Sequence, residues 1–352
     1  MKRAAIVCLF LFLATCPICL AQTVHIRVLS RFHPTQFELR PAGVSAMHIR
    51  VAGEDFVLEP RAAGSASKLE IEGEAIRVSI HGRELRTREL AGGGISGATE
   101  FLLTVPGKIS RRYRGILSIT VRDGELAPDV EMDLEVAVAS VLQAESEPGT
   151  PLEALKAQAV VTRSYFFAGK GRHADGEFCD LTHCQVLREP PAQGSAAARA
   201  TRETSGLVLA YQEKPFAAMF TRSCGGRTRT PSNTGLSMNG YPYFPVVCDY
   251  CHTAPYRWTR KVSSEDAALL AKGEPGRLAV DRRLGWNAVP SNSFIERAEA
   301  GEVVLEGTGQ GHGIGLCQHG ASAMAAGGAN FREILRHYFP NTTLEFFRDP
   351  NP

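Results

Sequence analysis

The sequence predicts an α+β protein in which a strand-rich N-terminal region precedes a mixed helix and strand core. Apolar and polar residues alternate in short runs up to about residue 125, and two segments of helical period then follow one another from residue 134. After those the chain is rich in glycine and loops, without the regular strand and helix alternation of a doubly wound fold. At 352 residues and 44% hydrophobic content it can bury a real core, and two domains are expected, residues 22–125 and 126–345.

Residues 1–21 read as a secretory leader. Lys2 and Arg3 form a basic start, residues 6–13 an apolar run, and Cys19-Leu20-Ala21 a small-residue cleavage site before Gln22. Export is the expectation, to the periplasm or cell envelope. The run is short for a membrane span, and no later segment reaches the roughly 18 apolar residues that a spanning helix needs. Cys16 suggests lipoprotein processing, against which Thr15 is a poor residue to precede a modified cysteine. Without the leader the chain carries 37 basic and 37 acidic residues, so nucleic-acid binding has no electrostatic support.

In residues 22–125, Val24-His25-Ile26-Arg27-Val28, Met47-His48-Ile49-Arg50-Val51, Leu69-Glu70-Ile71 and Ile76-Arg77-Val78-Ser79-Ile80 alternate as half-buried strands do. Turns such as Ala91-Gly92-Gly93-Gly94 are expected between them, giving a small antiparallel sheet.

The first helix presents Leu134, Val138, Val141 and Leu142 on one face, and Glu145 falls three and four residues beyond the last two. A carboxyl on a core-facing stripe loses hydration, which raises its pKa and suits a general acid. Pro148-Gly149 ends the helix there, while Glu147 is expected to face solvent. The alternative is a capping or half-buried structural glutamate. A second helix begins where Thr150 caps, Pro151 takes the first helical position and Glu153 completes a capping box. Lys156 and Arg163 share one of its faces, positioned either to bind an anionic sugar substituent or to form a solvated basic surface. Leu207-Val208-Leu209-Ala210-Tyr211 reads as a short strand, and residues 331–339 as a closing helix.

These residues resemble the SpoIID/LytB family. Glu145, Glu153-Ala154-Leu155-Lys156-Ala157-Gln158-Ala159 and Arg163-Ser164-Tyr165 match its central pattern. Arg112-Tyr113-Arg114-Gly115, Ser223-Cys224-Gly225-Gly226-Arg227-Thr228 and the segment 309–321, Gly-Gln-Gly-His-Gly-Ile-Gly-Leu-Cys-Gln-His-Gly-Ala, follow in the expected order. The likeness spans roughly residues 110–345. It departs at Ser146-Glu147-Pro148, where relatives have Met-Pro, and at Cys224, where many have Ser or Thr.

The resemblance implies a peptidoglycan-remodelling enzyme, a lytic transglycosylase that cuts the β-1,4 bond between N-acetylmuramic acid and N-acetylglucosamine in denuded strands and leaves a 1,6-anhydro end. One carboxyl suffices when the muramic C6 hydroxyl is the nucleophile, whereas an ordinary glycosidase needs two. Glu145 is the expected catalytic residue. Lys156, Arg163, Ser223, His312 and Gln318 are the expected substrate contacts, although a lone histidine such as His312 is more commonly a buried structural group. The rival implication is an amidase enhancer, a non-catalytic glycan-binding protein that stimulates a cell-wall amidase partner. A structural envelope protein is a third reading, and the sporulation name of the family does not by itself indicate a sporulating host.

Beyond the leader remain Cys179, Cys184, Cys224, Cys248, Cys251 and Cys317, an even set for which disulfides are the default in an oxidising compartment. His173, Cys179, His183 and Cys184 also form a tetrahedral zinc-type donor set, and some members of the resembled family carry zinc in this region. Structural zinc and a disulfide stay open there, and the adjacency of His183 and Cys184 leaves three protein ligands as the alternative to four. Cys224, Cys248, Cys251 and Cys317 are disulfide candidates. Cys248-Asp249-Tyr250-Cys251-His252 also spells the c-type haem attachment motif, ranked below a disulfide because no haem-pocket sequence surrounds it. The chemistry expected at Glu145 requires no cofactor. The glycines of 307–320 lack the Gly-Lys-Ser/Thr ending of a phosphate loop and are read as tight turns beside substrate.

Overall fold

A computed structural model describes residues 22–60, 65–169, 173, 178–236, 240–299 and 301–346; the expected leader lies outside them. The fold is α+β, as the residue patterns predict. Its N-terminal part consists of β1 (Thr23–Arg27), β2 (Gln36–Pro41), β3 (Met47–Val51), β4 (Glu54–Leu58), β5 (Ser67–Glu72), β6 (Ala75–Ile80), β7 (Arg83–Thr87), β8 (Glu89–Gly93), β9 (Thr99–Val105), β10 (Ile109–Arg122) and β11 (Glu125–Asp133).

The expected small sheet is in fact two antiparallel layers sharing one long strand. The first half of β10 pairs with β9, continuing through β2, β5, β6 and β7. Its second half pairs with β8 and β11, and β11 in turn with β1. Gly115 stands at the changeover, where a Cβ would lie 2.4 Å from the carbonyl oxygen of Glu131, so only glycine lets the strands approach. The Gly92-Gly93 pair is not a turn. Both residues belong to β8, where a Cβ on Gly92 would come within 2.6 Å of Met47 Cε; their smallness permits packing rather than chain reversal.

The expected boundary at 125/126 falls at the start of β11, which pairs with β10 through Glu131 and with β1 through Asp133, where the chain enters α1 (Leu134–Glu145). Asp133 caps α1, accepting from the N–H groups of Glu135 and Val136. The capping box expected on α2 (Leu152–Ala168) does not form. Thr150 Oγ1 donates to the Glu147 carbonyl, and Glu153 accepts the Phe331 N–H, so each side chain serves a neighbouring segment. Small residues dominate α2, and α1, α3 (Ala196–Glu203) and two later helices pack around it, burying nearly its whole surface. One continuous core joins these helices to the N-terminal sheets.

The rest of the chain is less loop-rich than its glycine content suggests. After β12 (Phe178–Cys179), β13 (Leu207–Tyr211), β14 (Lys214–Pro215), β15 (Phe220–Thr221) and α4 (Asp249–Thr253), a separate module forms from β16 (Arg257–Val262), α5 (Ser264–Leu270), α6 (Glu274–Leu284), β17 (Phe294–Glu299) and β18 (Glu302–Thr308). It has its own small core around Trp258, Val280 and Leu305. The chain closes with β19 (Leu316–Cys317), α7 (Gln318–Ala326), α8 (Phe331–Tyr338) and β20 (Thr343–Phe346). No helix among the described residues is long and apolar enough to cross a membrane.

Candidate active site

Glu145, the last residue of α1, lies at the junction of two depressions that together form a groove. The larger, about 910 Å³, runs from Glu145 past Gln185, Arg222 and Gln310 to His312 and Trp286. The second continues along Glu147, Gln158 and His319. The Glu145 residue is half-buried, and its Oε1 accepts one hydrogen bond, from the Val186 N–H at 3.1 Å. Gln318 Nε2 holds its backbone carbonyl at 3.0 Å.

Desolvation pushes the Glu145 carboxyl up to about 7, against the lowering effects of the Val186 N–H and of the Arg222 and Arg188 charges. The acid is therefore protonated over much of the near-neutral range and titrates within it. Other carboxylates lining the groove are engaged. Glu147 pairs with Arg222, while Glu274 and Asp281 clasp the buried Arg277.

The sequence-expected substrate residues divide. His312 and Gln318 line the groove. His312 Nδ1 accepts the Ile314 N–H at 3.0 Å, a local bond that orients the ring. Lys156 does not line it: its ammonium bridges Glu153 and Glu203, both at 2.7 Å. Arg163 is fully buried, forks onto Glu135 at 2.6 and 2.8 Å, and donates to the Leu207 and Thr201 carbonyls. Burial of α2 on most sides turns the predicted basic face into an internal fastening. Ser223 is buried with its hydroxyl 3.5 Å from Cys251 Sγ, and the neighbouring Arg222 reaches the groove instead. No local pattern singles out Arg222, which stands just after the two-residue β15, a strand whose course is set by pairing with distant β19.

Glycines of the C-terminal segment bring the groove wall together. Gly311 (φ +94°) and Gly315 (φ +72°) sit where a Cβ would strike Thr221 Oγ1 at 2.6 Å and the Met219 carbonyl at 2.1 Å.

His173, Cys179, His183 and Cys184 converge, with their donor atoms all within 4.8 Å of one another. His173 Nε2 lies 3.3 Å from His183 Nδ1 and 3.2 Å from Cys184 Sγ. One tetrahedral zinc ion separates nitrogen ligands by about 3.3 Å, so this donor set fits, and adjacent His183 and Cys184 do converge on the same point. The thiols of Cys179 and Cys184 are free rather than joined. Such an ion would brace the loop: Cys184 and Gln185 line the groove, and the next residue, Val186, holds Glu145. β12 pairs in parallel with β1, and Asp180 accepts the Leu29 N–H and an Arg111 bond, fastening the same loop to the N-terminal sheets.

The structure draws no disulfide among the candidates Cys224, Cys248, Cys251 and Cys317. All four thiols are free and buried at one place. Cys248 and Cys251 turn into this cluster, whereas His252 of the haem-like motif is exposed.

Residues 123–211, from the β10–β11 turn through β13, match the family described as SpoIID, Stage II sporulation protein. The chain is 23% identical over 258 residues to Stage II sporulation protein D of Bacillus amyloliquefaciens, covering 59% of this chain and 71% of that protein. It is 36% identical over 61 residues to the amidase enhancer of Bacillus subtilis.

The likeness is to SpoIID and LytB-type proteins.

The amidase enhancer match spans 17% of this chain and 9% of the enhancer. A longer match, 28% identical over 262 residues, is to an uncharacterized protein of Brachyspira hyodysenteriae, covering 64% of this chain and 70% of that one.

Proposed function

We propose that this SpoIID/LytB-like protein is an exported lytic transglycosylase that cleaves denuded peptidoglycan strands, with Glu145 as its single acid and base. The observation carrying this reading is that Glu145 ends α1 desolvated in the groove, which pushes its carboxyl up to about 7, while the other groove-lining carboxylates among the described residues are ion-paired. Hydrolysis by the usual two-carboxylate route would need a second carboxyl free to activate water.

Neutral Glu145 donates its proton to the glycosidic oxygen, and the N-acetylglucosamine leaving group departs as the C1–O bond breaks. The carboxylate produced then takes the proton from the muramic C6 hydroxyl as O6 bonds to C1, which closes the 1,6-anhydro ring and restores the acid. Its pKa of about 7 suits both halves. The Val186 N–H steadies the carboxylate, and Gln318 and His312 are the polar groups positioned to bind sugar. Arg222 supplies positive charge beside the groove, suited to the lactyl carboxylate. Zinc on His173, Cys179, His183 and Cys184 would act structurally, holding the loop that carries Val186.

The amidase-enhancer reading retains support from the short Bacillus subtilis match. Mass spectrometry of peptide-free glycan strands incubated with the mature protein and with Glu145→Gln separates the two. Anhydro-ended fragments from wild type alone support the enzyme; intact strands with both proteins, together with measurable glycan binding, support the enhancer.

A further inference from the structure

We infer that Cys224, Cys248, Cys251 and Cys317 form a second structural zinc site, distinct from the His/Cys loop. The segments that supply it are far apart in sequence. Cys224 follows β15, Cys248 and Cys251 straddle the first turn of α4, and Cys317 ends β19. Their sulfurs nevertheless all lie within 4.8 Å of one another, with Cys251 and Cys317 Sγ 3.5 Å apart. Four thiolates around one tetrahedral zinc ion, at about 2.3 Å each, stand about 3.8 Å from one another. The arrangement has the spacing of ligands sharing one ion.

Its surroundings suit thiolates. The Cys224 N–H points at Cys317 Sγ at 3.4 Å, the Tyr338 hydroxyl lies 3.3 Å from Cys248 Sγ, and the Ser223 hydroxyl 3.5 Å from Cys251 Sγ. A metal-bound thiolate only accepts, so these three groups would donate to it, as outer groups around sulfur ligands do. Space is reserved as well: a Cβ on Gly320 would lie 2.4 Å from Cys248 Sγ and 2.0 Å from the Tyr338 hydroxyl. All four cysteines are 3% exposed or less. Loading exchanges four thiol protons for one divalent ion, with no change of oxidation state.

The site would stitch together the groove wall that carries Arg222, two residues before Cys224, and Gln318, directly after Cys317. The His319 N–H already donates to the Arg222 carbonyl at 3.1 Å, joining the same two segments. This role does not depend on the reaction assigned to Glu145.

The test is metal analysis and zinc X-ray absorption on the mature wild-type protein, purified with zinc present and without chelator. Expected are two zinc ions per chain and an averaged shell of three sulfurs and one nitrogen, since four sulfurs at one site combine with two at the other. Cys251→Ser should lose one zinc and His173→Ala the other. A single zinc with two sulfurs and two nitrogens would overturn the proposal. So would peptide mapping of the unreduced protein that finds these four cysteines joined in two disulfides. Because the absorption measurement uses wild type, failure of either variant to fold leaves the test intact.

Discussion

The side chain of Gln318, first residue of α7, donates to the backbone carbonyl of Glu145, last residue of α1, at 3.0 Å. A helix-terminal carbonyl without an intrahelical partner is thereby satisfied by a residue 173 positions later, and the acid is anchored to the opposite wall of the groove. Gln318→Ala should cost about 1 kcal/mol in chemical denaturation and reduce turnover of glycan strands more than that loss of stability explains. Unchanged turnover would mean that the anchor does not position the acid.

The raised pKa of Glu145 makes a stability prediction with a definite sign. The native state holds a proton up to about pH 7 that the unfolded chain releases near pH 4.5, so stability declines as pH rises across that window. Glu145→Gln removes this penalty. The variant should match wild type at pH 4 and exceed it at pH 8 by on the order of 3 kcal/mol. Urea denaturation at the two pH values checks it, and equal stability at both would remove the case for a desolvated acid.

Under the proposed mechanism the rate falls above pH 7 as the acid form of Glu145 disappears. Arg222 lowers that pKa, so Arg222→Gln should move the alkaline limb to higher pH as well as weaken binding of glycans that bear lactyl carboxylates. A pH series of strand cleavage with both proteins reads this directly. An alkaline limb that stays in place would exclude electrostatic coupling of the two residues.

Arg163 and Lys156 should behave as fastenings of different strength. Arg163→Ala removes the partner of Glu135 and two carbonyl bonds from a buried site, a loss of about 3 kcal/mol or more. Lys156→Ala breaks a more exposed pair and should cost about 1 kcal/mol or less. Thermal melts rank the two, and in any folded variant KM for glycan strands should stay near wild type.

Much of this was legible where the signal is local. Alternation in β1, β3, β5 and β6 and the spacing of Leu134, Val138 and Leu142 before Glu145 correctly anticipated strands and helix, because each pattern reports which side of one element is buried. Gly92 and Gly93 misled, since glycine signals a turn and a close packing contact alike. The module around Trp258 went unrecognised because its short strands carry exposed, charged faces with little alternation.

The sequence by itself determined the likeness to SpoIID and LytB-type proteins, the α+β class, the acid at the end of the first helix and the donor types of the set His173, Cys179, His183 and Cys184. Those depend on residue identity and on spacing within a few turns of chain. Tertiary structure decided where the charges go: Arg163 inward to Glu135, Arg222 outward to the groove, and the four cysteines from residue 224 to residue 317 onto one point. These outcomes depend on which distant segments pack together, and burial by a distant neighbour leaves no mark on the local period of the chain.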